Sequence, residues 1–239
     1  MTEFMPHLAP VAALLFFGTI LLTGACFLVL LFGAVRRSSF FAKLGAGAAF
    51  ASVAGYLLLL TSVSMASSEK VLPPGGWKVF CEIDCHIWYS IAGMQVSPAL
   101  GPELQQTAAN GRFVIVRLKT WFNEATISPH RGNGPLLPGP RRVVLVDDSG
   151  RSYGVSREGQ AALAALGYSS TPLDQALRPG ESFTTDLVFD IPKTARGLRL
   201  LIFDDDPATR LVIGHENSLL HRKIFLGVDS APPLTKLNP

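Results

Sequence analysis

The sequence predicts a mainly β fold, an antiparallel β-sandwich with one short helix, which follows an α-helical transmembrane hairpin. Residues 1–66 are strongly apolar, whereas the rest of the chain has an ordinary composition. Short β-rich segments separated by turn residues fill that second part, as is typical of an antiparallel sandwich. Only 16% of the residues are charged, against about 25% in soluble domains, and the shortage falls in the apolar part.

The two apolar segments, at about 10–35 and 40–66, each exceed the roughly 20 apolar residues that a membrane-spanning helix needs. The first is uncharged and lacks the basic start of a signal peptide. Arg36 and Arg37 lie in the short connection, and short loops rich in Lys and Arg stay cytoplasmic. The sequence therefore predicts a two-pass protein of a bacterial inner membrane, with its N-terminus and its C-terminal domain in the periplasm.

Small residues recur along the second apolar segment, where Gly47, Ala51 and Gly55 are spaced by four. Such spacing lets the backbones of membrane helices approach closely. The facing helix would be the first segment, a second copy of the chain or another protein, and packing within the hairpin is the favoured interpretation. Cys26, in the middle of the first segment, is predicted to be a small apolar filler.

The β part is divided by composition. Residues 67–77 are rich in Pro and Gly and are interpreted as a linker, 78–230 as the periplasmic domain with about seven strands, and 231–239 as a tail. Along 113–118, the odd-numbered and the even-numbered residues form two alternating sets, as in a strand with two different faces.

Turn and cap residues mark two local structures in this domain. The letters "VVLVDDSGRSYGV" predict a β-hairpin whose turn ends at Gly150, which tolerates a positive φ. After it, Ser156 is a good N-cap for a short helix and Gly167 suits its C-terminal end.

Four stretches along most of residues 110–228 carry a family resemblance: "GRFVIVRLKTWFN", "VVLVDDSGRSYGVS", "LRPGESFTTDLVFDIP" and "HENSLLHRKIF". They resemble the bacterial immunoglobulin-like domains of unknown function related to the immunoprotective extracellular antigen and telokin-like folds. The resemblance implies an immunoglobulin-like sandwich and an extracellular module that binds or scaffolds other molecules. It implies no chemistry, because fold does not determine function. Here a two-helix anchor replaces the lipidated cysteine of the commoner lipoprotein form.

The segment "FCEIDCH" holds two cysteines four positions apart, Cys81 and Cys85. Outside the cytoplasm a disulfide between them is the first candidate. In a straight strand these positions are about 13 Å apart, whereas disulfide-bonded Cα atoms lie within about 7 Å. A disulfide therefore requires a turn or loop here.

The alternative for this segment is a metal site. Thiolate and imidazole ligands suit copper or zinc, and the candidate ligands are Cys81, Cys85, His86, His215 and His221. The two histidines that come late in the sequence adjoin the last predicted strand, which a sandwich can bring beside the first.

The order of hairpin and outer β domain also resembles subunit II of haem-copper oxidases. That family binds dinuclear copper with C-x-x-x-C, a histidine four residues on and a methionine three further. Tyr89 and Ala92 occupy those two positions here, and the cysteines come first in the domain rather than late. The departure favours a mononuclear copper or zinc site over a dinuclear centre.

No catalytic motif is present: the sequence lacks a nucleophile elbow, a phosphate loop, a dinucleotide fingerprint and a haem-attachment motif. The net charge of +3 is spread out and gives no nucleic-acid footprint. Asp204–Asp206 is predicted to be a solvated turn, and His130 an exposed loop residue. We expect a non-enzymatic binding or scaffolding protein, an accessory subunit of a membrane complex, whose partners are the lipid bilayer and another membrane or periplasmic protein. Copper or zinc handling is the alternative.

Overall fold

The chain divides into a helical unit and a β unit. The computed structural model describes residues 9–80, 86–103, 105–127, 130–139, 141–168, 170–204 and 206–234. The β unit comprises Glu69–Asp205 and Lys223–Pro239, and the helical unit comprises Glu3–Ser68 and Asp206–Arg222. Residues 206–222, which lie inside the predicted β domain of 78–230, thus group with the helices.

Two long helices, α1 (Ala9–Val35) and α2 (Ser39–Ala66), form the hairpin. By length and composition both could cross a membrane. The connection is tight: Arg37 takes a positive φ of 52°, and the backbone N–H of Ser38 donates to the carbonyl of Gly33 at 2.8 Å.

The close approach of the helices depends on Gly45. A Cβ atom there would lie 2.5 Å from the backbone nitrogen of Leu30 and 2.7 Å from the carbonyl oxygen of Cys26. Contacts below 3.0 Å do not occur for real Cβ atoms, so only glycine fits at this spacing. Cys26 is itself buried, as a small apolar filler would be.

The predicted stripe of small residues does not make this contact. A Cβ atom at Gly47 or Gly55 would meet nothing within 4 Å, and Ala51 between them is exposed. Two residues of an α-helix span about 200°, so Gly45 and Gly47 lie on nearly opposite faces. The interpretation that the stripe packs within the hairpin is wrong, because the stripe faces outward.

We expect Gly45→Val to destabilise the hairpin by about 1–3 kcal/mol, the usual cost of overpacking. The added side chain would force apart the two backbones that meet at this position. Thermal unfolding of the full chain in detergent micelles would measure the change. Gly47→Val is the matched control, because its surroundings are open. Equal effects of the two substitutions would mean that the close approach of the helices at Gly45 does not contribute to the stability of the hairpin.

The β unit contains nine strands in two sheets. The strands are β1 (Lys70–Leu72), β2 (Lys78–Val79), β3 (Ile87–Leu100), β4 (Thr107–Phe122), β5 (Arg141–Val146), β6 (Ser152–Gly154), β7 (Ser182–Ile191), β8 (Arg199–Asp204) and β9 (Ile224–Gly227). One sheet has the order β1-β9-β8-β5-β6 and the other β2-β3-β4-β7. A shared core contains buried side chains of both sheets, so the predicted mainly-β sandwich is confirmed.

Strand β4 shows how the alternation of its side chains builds the sandwich. Val114, Val116 and Leu118 belong to the core shared by the two sheets. Phe113 and Ile115 point to the other face, where they pack against the helix α3 (Arg157–Ala165). Helix α3 therefore covers part of the outer face of the four-stranded sheet.

The predicted turn and cap residues are confirmed. β5 and β6 pair as an antiparallel hairpin, and Gly150 in its turn has a φ of +81°. The Ser156 side chain accepts a hydrogen bond from the backbone N–H of Gly159 at 3.1 Å, and Gly167 after α3 has a φ of +85°.

The predicted linker and tail both contribute to the sheets. β1 lies inside the linker and pairs in parallel with β9. At the other end, the N–H of Met94 donates to the carbonyl of Pro232 at 2.9 Å, and the N–H of Leu234 donates to the carbonyl of Met94 at 3.0 Å. Backbone hydrogen bonding, which leaves little trace in composition, therefore extends the domain beyond the predicted boundaries.

Candidate functional site

Cys81 and Cys85 lie outside the described residues, so the disulfide and the metal site both remain predictions. The structure does describe the residues that flank this segment on either side, Phe80 and His86. Both are buried in the β unit, with 6% and 5% of their surface exposed. The structure therefore defines the two residues that flank the cysteine segment and places both of them in the interior of the β unit.

A buried lysine lies just before the segment. Lys78 of β2 has no exposed surface, and its Nζ donates to the carbonyls of Ile202 and Ile224, both at 2.7 Å. These carbonyls belong to β8 and β9, whose described ladder pairs only Arg199 with Gly227 and Leu200 with Leu226. The ammonium thus bridges the two strands beyond their ladder and links the two sheets.

An ion pair lies beside this lysine. Arg141 and Asp204 meet at 2.6 Å, and their side chains are 6% and 5% exposed. Both cations make cation–π contacts with the ring of Phe80. The guanidinium carbon of Arg141 lies 4.3 Å from the ring centroid, and Nζ of Lys78 lies 5.2 Å from it. We call Lys78, Phe80, Arg141 and Asp204 the buried charge cluster.

This cluster corrects one prediction and shows what the sequence did not reveal. Asp204 was predicted to be part of a solvated turn but pairs with Arg141 in the interior. Asp206 does behave as a turn residue, since its side chain accepts from the N–H of Ala208 at 2.9 Å, and His130 is exposed as expected. Nothing in the local sequence distinguishes Asp204 from its neighbours, because its partner is 63 residues away.

The ring of His86 is held by a threonine hydroxyl. Its Nδ1 lies 2.5 Å from the hydroxyl oxygen of Thr126, and that hydroxyl donates its own proton to the carbonyl of Asn123 at 2.8 Å. When the Thr126 hydroxyl donates to Asn123, its oxygen accepts from Nδ1 of His86. A metal-binding histidine is commonly held in this way through one ring nitrogen. The ring also stacks on Phe122, with centroids 5.1 Å apart.

The two later histidines differ from each other. Nδ1 of His221 lies 2.7 Å from the carbonyl oxygen of Arg222, which can only accept, so Nδ1 is the donor. Nδ1 of His215 accepts from the N–H of Asn217 at 3.0 Å, so its proton is on Nε2. A metal-binding histidine commonly donates one ring N–H to an oxygen acceptor and ligates through the other nitrogen, which fits His221 better than His215.

Both later histidines belong to the helical unit, whereas His86 belongs to the β unit. Among the residues that the structure describes, no three His, Cys, Asp or Glu side chains form a group able to hold a metal ion. The predicted ligand set includes two cysteines outside that part of the chain, so it stays a prediction.

Three tryptophans form a second feature of the β unit. Trp88 and Trp121 are register partners on β3 and β4, and Trp77 packs on both, with ring centroids 6.3 and 5.4 Å away. Nζ of Lys119 lies 5.9 Å from the centroid of Trp77. All three indoles are half-buried. We call these three residues the tryptophan cluster. They are far apart in the sequence, and their proximity follows only from the pairing of the strands.

The turn between β5 and β6 is held by one carboxylate. Asp147 accepts from the hydroxyl of Ser149 at 2.7 Å, from the N–H of Arg151 at 2.9 Å and from the hydroxyl of Tyr153 at 2.8 Å. The hydrogen bond from Ser149 is the largest cause that lowers the pKa of Asp147 from 3.8 to about 2. The hydrogen bond to Asp147 in turn raises the pKa of Tyr153.

The lowered pKa of Asp147 predicts an acid-dependent loss of stability. Its folded-state pKa lies below the unfolded value, so its contribution is present above about pH 4 and disappears as the pH falls towards about 2. In the full-length protein in detergent micelles, the denaturant concentration at the midpoint of unfolding should fall with decreasing pH across this window. With Asp147→Asn we expect that fall to be smaller. The control is the exposed neighbour Asp148→Asn, and a slope unchanged by Asp147→Asn would contradict the assignment.

A shallow polar cleft of about 460 Å³ lies beside α3, and its lining includes Asn110, Tyr153, Glu158 and Asp190. Asp190 accepts from the backbone N–H and the side-chain amide of Asn110, both at 2.9 Å, and from the N–H of Gly111 at 3.2 Å. These bonds join β4 to β7 next to the first pair of their ladder, Arg112 and Ile191, which gives Asp190 a structural role.

The fold and these sites define a two-sheet β-sandwich joined to a hairpin of two long apolar helices. Comparison with protein-family models and with curated proteins gave no match. Among solved structures, the secreted protein MPT63 from Mycobacterium tuberculosis is 13% identical with a TM-score of 0.41, covering 69% of this chain and 99% of that one. The yjhA protein from Bacillus subtilis is 11% identical with a TM-score of 0.40, covering 66% of this chain and 100% of that one.

A conserved hypothetical protein from Bacillus anthracis is 16% identical with a TM-score of 0.38, covering 49% of this chain and 82% of that one. Similarities of this degree carry no argument about function. The class of the domain is given by its own two sheets and shared core.

Proposed function

We propose that this protein is a membrane-anchored, non-enzymatic binding or scaffolding protein whose immunoglobulin-like domain lies in the periplasm of a bacterium. The observation that carries the anchor is the outer surface of the hairpin. Large apolar side chains such as Leu14, Leu21 and Phe50 are 73%, 74% and 77% exposed. An apolar surface of this extent marks contact with a membrane or a protein, and lipid covers it when the helices span a bilayer.

The orientation follows from the charges at the hairpin turn. Arg36 and Arg37 lie between the two helices, and basic residues in short loops stay on the cytoplasmic side. The opposite ends of both helices then face the periplasm, and so does the β unit that follows α2. Reporter fusions after Arg37 and at the C-terminus would test this, since a periplasmic reporter should be active only at the C-terminus.

Two surfaces support a partner protein and hence a role as an accessory subunit. The stripe of Gly47, Ala51 and Gly55 faces away from α1, which leaves α2 a flat face for another membrane helix. In the β unit, the tryptophan cluster presents half-buried indoles, and tryptophan is enriched among the residues that dominate binding at protein interfaces.

Co-purification from gently solubilised native membranes tests this role. We expect a stoichiometric partner that is lost with Gly55→Leu, because the side chain would fill the flat face. Gly18→Leu is the matched control: this glycine of α1 is also surrounded by open space. If the protein repeatedly emerges alone, the subunit proposal fails. Equal loss of the partner with both variants would show that the stripe is not the binding face.

Copper or zinc handling is the second candidate, favoured by the hydrogen bond of His86. Nδ1 of His86 is held by Thr126 at 2.5 Å, as one ring nitrogen of a metal-binding histidine commonly is, and His86 directly follows Cys85 in the sequence. Free thiols and bound copper and zinc should be measured on one sample of the full-length protein. Stoichiometric metal that is lost with Cys85→Ser would establish this candidate, whereas no metal and no free thiol besides that of Cys26 would favour a disulfide.

A further inference from the structure

The segment Asp206–Arg222 between β8 and β9 is attached to the helical hairpin at two levels. The backbone N–H of Arg222 donates to the hydroxyl of Ser67 at 2.8 Å, just after the last residue of α2. The hydroxyl of Tyr56 donates to the carbonyl of Leu211 at 2.6 Å. Ser67 and Tyr56 are separated by about 16 Å along a helix that rises 1.5 Å per residue. The segment therefore extends well down the side of α2 from its periplasmic end.

Its backbone is hydrogen-bonded within the segment. A 3-10 helix, Pro207–Leu211, opens it. The turns that follow are closed by N–H to carbonyl bonds: Val212 to Thr209 at 3.3 Å, His215 to Val212 at 3.2 Å, Ser218 to His215 at 2.9 Å, Leu219 to Arg210 at 3.2 Å and His221 to Ser218 at 3.1 Å. Irregular backbone at membrane depth is tolerated only where it is buried in protein or lines a water-filled cavity. These bonds satisfy part of the loop's backbone internally, so contact with lipid falls to its exposed side chains.

The loop nevertheless exposes leucines. Leu211, Leu219 and Leu220 are 41%, 48% and 66% exposed, while Thr209, His215 and Ser218 are buried. Leu220 also has a positive φ of 65°, a conformation that costs a non-glycine residue roughly 1–2 kcal/mol. Three exposed leucines in one short loop, one of them with a positive φ, form an apolar surface that water does not favour, although Asp206, Arg210 and Arg222 are exposed as well.

Leu211 also closes an apolar crevice against the two helices. The crevice has a volume of about 320 Å³, and its lining includes Phe16 and Ile20 of α1 and Val53 and Leu57 of α2. These helix positions belong to the segments long and apolar enough to cross a membrane. Inside a bilayer, the medium that fills such a crevice is hydrocarbon.

We propose that Asp206–Arg222 is a membrane-inserted loop, whose leucines contact lipid acyl chains of the periplasmic leaflet and whose crevice with α1 and α2 holds one acyl chain. This inference rests on the proposed membrane anchor. Arg210 and Arg222 are exposed and are long enough to reach phosphate headgroups while their stems stay in apolar surroundings. The β-sandwich would thus be attached to the bilayer at a second point, far in sequence from its N-terminal anchor.

Site-specific photo-crosslinking in native membranes tests the loop. A genetically encoded diazirine amino acid is placed, one position at a time, at Leu220 and at three comparison sites in the full-length protein. Leu211 lines the crevice, Leu58 on α2 is 68% exposed and reports the anchor, and Leu137 in the β unit is 71% exposed and is the matched control. Mass spectrometry then identifies the adducts.

We expect phospholipid adducts at Leu58, Leu211 and Leu220, and at least tenfold fewer at Leu137. Lipid adducts at Leu58 without any at Leu211 and Leu220 would overturn the loop inference and leave the anchor intact. Protein adducts in place of lipid at Leu220 would also overturn it, because the loop would then bind a protein. No lipid adduct at Leu58 would reject the anchor, and the inference with it; equal labelling at Leu137 would show that exposure alone explains the signal.

Discussion

Asp204→Asn should destabilise the β unit by about 3–5 kcal/mol, the usual cost of removing one partner from a buried ion pair. The Asp204 carboxylate lies 2.6 Å from the guanidinium of Arg141, and both side chains are almost fully buried. The substitution keeps the shape of the side chain but removes its charge. Arg141 and the nearby Lys78 would then keep their positive charges in the interior without this carboxylate to offset them.

Denaturant unfolding of the full-length protein in detergent micelles measures this change. All three tryptophans lie in the β unit, so their fluorescence reports its unfolding. Glu69→Gln is the matched control, because Glu69 also pairs with an arginine, Arg199, but its side chain is 46% exposed. Exposed pairs contribute about 0.2–1 kcal/mol. If the two substitutions cost the same, the buried charge cluster has no special role in stability.

Lys78→Met is expected to cost about 2–4 kcal/mol. Methionine retains most of the apolar stem, but the carbonyls of Ile202 and Ile224 lose the donor that lies 2.7 Å from each. A buried polar group left without its hydrogen bond costs about 1–3 kcal/mol. The expected total for the two carbonyls is reduced because the substitution also removes the cost of keeping a charged ammonium out of water. The same fluorescence measurement applies.

Lys193→Met is the control for this lysine, because Lys193 is exposed and its loss should change the free energy of unfolding by less than about 0.5 kcal/mol. Protection of backbone amides in β9 from hydrogen exchange gives an independent readout, since Lys78 bridges β8 and β9 at their separated ends. A Lys78→Met protein with unaltered stability and protection would show that the bridge is dispensable.

The sequence determined those features whose cause is local along the chain. The apolar lengths of α1 and α2, the alternation along β4, the glycine turn at Gly150 and the Ser156 cap each depend on residues within a few positions of each other. About seven strands were predicted, whereas β1 and β2, with three and two residues, were missed. Strands that short carry no alternation, and only β6, which also has three residues, adjoins a recognisable hairpin turn.

Only the tertiary structure decided the features that join distant parts of the chain. The pairing of Lys78 with β8 and β9 spans 124 and 146 residues, and the ion pair of Arg141 and Asp204 spans 63. The outward direction of the Gly47 stripe depends on which face of α2 meets α1. The position of residues 206–222 beside the hairpin depends on Tyr56, 155 residues from its partner Leu211. Sequence patterns report spacing along one element, but the partner of a buried charge or a helix face is chosen by packing in three dimensions.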